Sequence, residues 1–190
     1  GDYCDIWSLS DGRLAFALGH VSSKGLPAAM AISELRTLLR TTVHFSDDLA
    51  EAVKHVNSHL VCNSLEGISA PLFLAVYDGS SGEIRYVNAG HHTPMLVHPK
   101  SGVKPLGEKG PNVLGNHGAD FTQCQATIGP ELALVAFSDG ITSVLSPEGE
   151  QFGDKRLMHI LKTTAGRSPE KIVCSITSAV NDFRKSLAQK

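Results

Sequence analysis

Two strand-like apolar runs each lead into a polar turn that contains glycine, and a similar acidic turn opens the chain. Leu132 to Ser138 leads into Asp139-Gly140, Leu14 to Leu18 leads into Gly19-His20, and the chain starts with Gly1-Asp2. A strand fixes the direction of a carboxylate, and glycine lets water or phosphate approach closely. The pattern therefore predicts a fold in which the ends of β-strands position aspartates, and these aspartates form half of a binding site for a hard metal ion.

An alternative explanation exists for each acidic turn on its own, because Asp-Gly is also the commonest turn of a β-hairpin. The segment from Gly19 to Met30 favours the metal site. It again ends an apolar strand in a polar turn flanked by glycine, and it then begins a helix. The three turns taken together are therefore the candidate site.

The composition is that of a chain able to form one domain with its own core. It has 190 residues, with 17 Lys and Arg against 19 Asp and Glu and a formal net charge of −2. No basic run is present, so we expect no nucleic-acid partner. The longest apolar stretch, Leu132 to Phe137, is far too short to span a bilayer, so we expect no membrane contact by this domain.

The four cysteines lie far apart in the sequence, at Cys4, Cys62, Cys124 and Cys174. No C-x-x-C pair is present that would indicate a zinc site or a redox couple. We therefore predict reduced, mostly buried thiols and a cytoplasmic location.

The apolar periodicity predicts two long helices, then a set of strands, then two more helices. Most links between the strands are short and turn-like, which favours antiparallel pairing. This order predicts an α+β fold with helices outside the sheets and the acidic turns at one sheet edge. The predicted helices lie at about 27–42, 49–60, 154–163 and from 169 onward, and the predicted strands at 6–9, 14–18, 72–77, 84–88, 95–98, 103–106, 121–128 and 132–138. The buried stripe predicted for the last helix is Ile172, Val173, Ile176, Ala179, Val180, Phe183 and Leu187.

Four ordered segments together resemble the SpoIIE/RsbU-type branch of the metal-dependent protein phosphatases, the PPM family. Gly1-Asp2-Tyr3-Cys4-Asp5 resembles the opening G-D-Y-Y-D of that family, and Gly19 to Met30 resembles its G-D-V-S-G-K-G-L-P-A-A-L. The third segment, 72–77 with 82–91, resembles the central hairpin and its N-A-G-H turn. The fourth, 137–142 followed by 149–153, resembles T-D-G-V-T and G-E-x-F-G. The resemblance covers nearly the whole chain.

The resemblance implies a four-layer α-β-β-α sandwich with two mainly antiparallel sheets flanked by helices. It also implies two divalent ions, Mn²⁺ or Mg²⁺, which lower the pKa of a water that attacks phosphorus without a covalent enzyme intermediate. Asp2 and Asp139 are the expected catalytic residues. The expected metal positions are Asp2, His20, Val21, Asp139 and Gly140.

The substrates implied by the resemblance are phosphoserine or phosphothreonine on small regulatory proteins, such as anti-sigma-factor antagonists. Homodimerisation through helices is compatible with this branch of the family. Two rival functions stay open. One is a degenerate pseudophosphatase that serves as a phosphoprotein-binding or regulatory module, and the other is an unrelated β-rich metal hydrolase, which the four ordered segments argue against.

His20 departs from the family pattern, which has an aspartate at this position. A carboxylate can bridge two ions, whereas a neutral imidazole offers one nitrogen to one ion. Three interpretations follow. His20 ligates one metal and shifts the preference away from Mg²⁺; it leaves a single or weak metal site, so that one ion or none binds; or it is a polar turn residue in a domain without catalysis.

A second departure lies at the C-terminus, where the family usually has an Asp-Asp-x-Thr turn after the last helix. The sequence reaches Lys190 without this turn, and truncation explains the difference at least as well as a true loss. The expectation is therefore one PPM-type domain over residues 1–190, from a longer protein and short of its last strand.

Overall fold

The computed structural model describes residues 1–63 and 68–185 and has a mixed α+β fold with two antiparallel sheets. The predicted fold class is confirmed at this level. The chain divides into two compact units, one formed by residues 1–93 and 107–128 and the other by residues 94–106 and 129–190. The elements are β1 (Asp2–Ser8), β2 (Leu14–His20), α1 (Gly25–Phe45), α2 (Leu49–Asn63), β3 (Leu72–Tyr77), β4 (Glu83–Ala89), β5 (Met95–His98), β6 (Gly102–Pro105), β7 (Gln123–Thr127), β8 (Ala133–Val135), α3 (Asp139–Thr142), α4 (Gly153–Thr163) and α5 (Pro169–Lys185).

The first unit is built on a five-stranded antiparallel sheet with the strand order β1-β2-β3-β4-β7. One face of this sheet packs against α1 and α2. The helices contribute apolar side chains one turn apart, such as Leu35 and Leu39 of α1 and Val53 of α2, and the strands contribute alternate residues such as Leu72 and Leu74 of β3. The spacing of one helical turn in the helices and of two residues in the strands is what the sequence pattern predicted for a helix layer on a sheet.

An ion pair joins α1 to the edge strand β1. Asp5 is only 9% exposed, and its two carboxylate oxygens accept hydrogen bonds from Arg40 Nε at 2.7 Å and from the Arg40 terminal nitrogen at 2.8 Å. Arg36 Nε donates to the same carboxylate at 3.2 Å, and the Arg40 guanidinium also lies over the Trp7 ring. The Arg40 hydrogen bonds hold the pKa of the Asp5 carboxyl below its usual range. Asp5 is therefore an anchor between strand and helix.

The second unit is built on a three-stranded antiparallel sheet with the strand order β6-β5-β8, and it also contains α3, α4 and α5. Its core is formed mainly by Val97 of β5, Leu157 and Leu161 of α4, and Ile172 and Ile176 of α5. The apolar residues of α4 and α5 recur at helical spacing, which gives each helix one buried stripe.

Two predicted strands are shorter in the structure than in the sequence analysis. Only Ala133–Val135 of the predicted strand 132–138 pairs with a neighbour, and only Gln123–Thr127 of the predicted strand 121–128 does so. The first shortening follows from the partner, because β8 pairs with the four-residue strand β5. Strand length is thus limited by the available partner and not by apolar content alone.

Two predictions about burial were wrong. All four cysteines are free and exposed, whereas the sequence analysis expected mostly buried thiols. Val173 was placed in the buried stripe of the last helix but is 61% exposed, because it lies about 100° around α5 from the buried Ile172. Leu187, also assigned to that stripe, lies outside the described residues. Among the described residues, no helix has both the length and the apolar character needed to cross a membrane.

We predict that Asp5→Asn lowers the free energy of unfolding by about 1.5–3 kcal/mol, because it removes a charged hydrogen-bond acceptor from a nearly buried pair. Pairing lowers the folded-state pKa of Asp5, so its contribution is present above the unfolded pKa and is lost as the pH falls through the folded pKa. Denaturant unfolding at neutral pH and below about pH 4 measures both effects.

Asp11→Asn is the control, since Asp11 forms an exposed pair with Arg13 at the hairpin turn. We expect the Asp11 variant to unfold nearly like the unmodified chain. Equal losses of stability for the two variants would contradict the anchoring role of Asp5.

Candidate metal centre

Asp2 and His20 lie opposite each other at one edge of the five-stranded sheet. Asp2 is the first residue of β1 and His20 is the last residue of β2, and the antiparallel register pairs them directly. The distance between His20 Nδ1 and Asp2 Oδ1 is 2.9 Å, and both side chains are about half exposed. The β-hairpin therefore brings together two residues that are 18 positions apart in the sequence.

The donor set of this pair fits one divalent cation. Two donor atoms bound to adjacent positions of an octahedral ion, each at about 2.1 Å, lie about 3.0 Å apart, which is close to the observed separation. The ion would replace the proton that the imidazole and the carboxylate share, because a histidine ligand must be neutral. A nitrogen donor suits Mn²⁺, Fe²⁺ or Zn²⁺ better than Mg²⁺, which prefers an all-oxygen site.

Backbone contacts with the segment that leads into β3 hold the His20 backbone in place. The His20 N–H donates to Pro71 O at 3.0 Å, and the Ser22 N–H donates to Ser69 O at 2.9 Å. Gly19 is needed at this point, because a Cβ there would lie 2.9 Å from the same Pro71 oxygen. The close approach of these two backbones fixes the end of β2, and so it fixes the backbone position from which the imidazole extends.

The other predicted metal positions, Val21, Asp139 and Gly140, offer ligand groups that differ from those of the Asp2–His20 pair. The Val21 side chain is buried, so this residue can present only its carbonyl oxygen, which accepts a hydrogen bond from the Gly1 amino group. Asp139 and Gly140 are the first two residues of α3, in the second unit, and both are exposed. The sharing of one site by Asp2, His20 and Asp139 stays a prediction.

A buried turn that the sequence analysis treated as structural follows β4. The Asn88 carboxamide oxygen accepts a hydrogen bond from the His91 N–H at 2.9 Å, and both side chains are buried. Gly90 between them has a φ of 73°. His91 follows β4, which is separated from β2 by β3, and its Nδ1 lies 3.0 Å from the His92 carbonyl oxygen. The N-A-G-H pattern predicted this turn from the sequence. It did not indicate that the Asn88 side chain closes the turn.

We predict that Gly19→Ala lowers the free energy of unfolding by about 1–3 kcal/mol, because the added methyl group must displace the Pro71 backbone. The same shift would move His20 away from Asp2. Thermal unfolding measures the first effect, and the ¹H–¹⁵N spectrum of the histidine rings reports the second.

Gly79→Ala is the matched control, because a Cβ at Gly79 meets its nearest atom at an ordinary contact distance of 3.8 Å. We expect that variant to match the unmodified chain. If Gly19→Ala also left both stability and the His20 ring signals unchanged, the close packing at Pro71 would not be what positions His20.

Comparison with known proteins identifies one family and one curated relative that this chain resembles over most of its length. The sequence matches the family model of Stage II sporulation protein E (SpoIIE) over residues 10–189. Protein IcfG of Synechocystis sp. is 31% identical over 189 residues, an alignment that covers 85% of this chain and 30% of IcfG. The chain thus spans less than a third of this curated relative.

Solved structures share the fold. The SiaA-PP2C domain of Pseudomonas aeruginosa superposes with a TM-score of 0.84 at 14% identity, covering 100% of this chain and 76% of that one. The RsbU and RsbW domains of Rv1364c from Mycobacterium tuberculosis give 0.76 at 24% identity, with 97% and 51% covered. The PP2C phosphatase domain of SpoIIE from Bacillus subtilis, with a fragment of its regulatory domain, gives 0.77 at 21% identity, with 96% and 53% covered.

Proposed function

This chain belongs to the SpoIIE family of PP2C-type phosphatase domains, and from that membership we propose that it is a metal-dependent protein serine/threonine phosphatase. Its proposed substrate is a phosphoserine or phosphothreonine on a regulatory protein, of the kind represented by anti-sigma-factor antagonists. The observation that carries the proposal is the Asp2–His20 pair, whose 2.9 Å separation of oxygen and nitrogen matches adjacent ligands of one divalent ion.

The proposed site assigns a separate role to each residue. Asp2 supplies a carboxylate oxygen and His20 supplies Nδ1, and Asp139 is proposed to add a second carboxylate, with the Val21 and Gly140 carbonyl groups as further oxygen donors. When bound, a divalent ion supplies a water of lowered pKa and neutralises charge on the phosphoryl oxygens. The ion proposed is Mn²⁺, because it suits the carboxylate and carbonyl oxygens of this set and accepts a nitrogen donor more readily than Mg²⁺ does.

We predict that the chain hydrolyses a phosphoserine peptide with Mn²⁺ and more slowly with Mg²⁺. Asp2→Asn and Asp139→Asn should each lower kcat by at least about 100-fold, because a carboxamide is a much weaker metal ligand than a carboxylate. Asp11→Asn, at the exposed hairpin turn, is the control and should keep its rate. Phosphate release with each metal is the measurement, and retained activity in Asp139→Asn would exclude Asp139 from the site.

We also predict that His20→Asp raises the Mn²⁺-dependent rate, because a carboxylate at this position can bridge two ions and restores a negative charge. The assay is the same phosphoserine peptide, on a form of the chain that extends beyond Lys190. An unchanged rate in that longer form would count against a ligand role for His20.

A test that does not depend on activity uses Fe²⁺ as a stand-in ion. With ascorbate and peroxide, bound Fe²⁺ generates hydroxyl radicals that cut the backbone close to the site. The proposed shared site predicts cuts near both His20 and Asp139, and both should vanish in Asp2→Asn. Cuts near His20 alone would show that Asp139 does not share the ion.

A second candidate function, a pseudophosphatase that binds a phosphoprotein without hydrolysing it, is favoured by one observation. His20 Nδ1 and Asp2 Oδ1 lie at hydrogen-bond distance, 2.9 Å, so the imidazole and the carboxylate can satisfy each other through a proton. Thermal unfolding with added Mn²⁺ separates the two functions, since a bound ion raises the stability by RT ln(1 + [Mn²⁺]/Kd). The phosphatase predicts a shift that Asp2→Asn removes, and the binding module predicts none.

A further inference from the structure

Two large apolar side chains are exposed side by side at the start of α1. Leu26 is 73% exposed and Met30 is 64% exposed, and their spacing of four residues places them on the same face, one turn apart. Of the exposed large apolar side chains in residues 1–63 and 68–185, only these two lie one turn apart on a helix. We call them the α1 apolar pair.

The α1 apolar pair lies within about 20 Å of the candidate metal centre. Leu26 follows His20 by six residues, and six residues span at most about 20 Å even when fully extended. The next turn of the same helix approaches the Asp2 strand, since a Cβ at Gly1 would lie 3.7 Å from Ile32 Cδ1. A polypeptide bound at the Asp2–His20 pair therefore has this apolar surface within its reach.

The charges around the pair favour an anionic partner. Lys24 is exposed at the N-cap of α1, no side chain caps the helix, and its first turn contains no acidic residue. A phosphorylated segment carries about −1.5 to −2 charges on each phosphate at neutral pH. An apolar pair beside a lysine is thus complementary to a negatively charged segment that also presents an apolar side chain.

We propose that Leu26 and Met30 form a docking surface for the segment that flanks the phosphorylated residue of a protein substrate. This inference rests on the proposed function, because it places the phosphate at the Asp2–His20 pair. An extended peptide advances about 3.3 Å per residue, so a reach of about 20 Å corresponds to an apolar side chain within about six positions of the phosphoserine. The surface selects for that side chain and for negative charge.

The experiment compares two synthetic phosphoserine peptides with acidic flanks, one with leucines and the other with serines at positions within about six residues of the phosphoserine. Their affinity is measured by fluorescence anisotropy without metal, and kcat/KM is measured with Mn²⁺. The unmodified chain should prefer the leucine peptide by about 10-fold to 100-fold, as expected for burying one or two apolar side chains. The double variant Leu26→Ser/Met30→Ser should lose that preference.

Phe45→Ser is the matched control, because Phe45 is an 81% exposed apolar residue at the opposite end of the same helix, about 28 Å from Leu26. That variant should keep the preference for the leucine peptide. Circular dichroism of each variant verifies that α1 is still folded.

The possible outcomes separate this inference from the proposed function. Peptide hydrolysis that shows no preference, or a preference that survives in the double variant, overturns the docking surface and leaves the phosphatase intact. The absence of binding to either peptide also overturns the docking surface. Binding that depends on Leu26 and Met30 without any phosphate release supports the docking surface and refutes the phosphatase.

Discussion

The antiparallel pairing of β1 with β2 is the constraint on which the candidate site depends. Its register places the first residue of one strand opposite the last residue of the other, and this brings the Asp2 carboxylate to 2.9 Å from the His20 imidazole. The backbone hydrogen bond from His20 to Pro71 then joins the end of the hairpin to the chain that leads into β3. Because the strand pairing and the Pro71 hydrogen bond involve backbone atoms, the sheet brings these two side chains next to each other.

Helix α1 is tied to the same hairpin at two places. The Asp5–Arg40 ion pair anchors the C-terminal half of the helix to β1, and the short connection after His20 starts the helix beside the sheet edge. The helix that buries Leu35 and Leu39 in the core thus also exposes Leu26 and Met30 close to the site. One element therefore contributes to stability, to the position of the site and to the proposed docking surface.

The histidine at position 20 gives the proposed site a mixed donor pair of one imidazole and one carboxylate. An imidazole and a carboxylate can hold one divalent ion, or they can satisfy each other through a proton. The same pair is thus compatible with a catalytic centre selective for Mn²⁺ and with a binding module that needs no metal. The choice between these functions depends on the affinity of two atoms for a cation, and not on the fold, which both functions share.

The four ordered segments indicated the family by resemblance, and the sequence by itself also determined the fold class and most of the helices, because helical periodicity and turn residues act over a few neighbouring positions. The N-A-G-H turn and the strand 95–98 were likewise predicted at their observed places. Only the tertiary structure decided where β7 and β8 end, that the cysteines and Val173 are exposed, and that Asp5 pairs with Arg40, 35 residues away. Each of these features depends on which other element packs against the residue concerned. A local sequence pattern does not specify such contacts between distant segments.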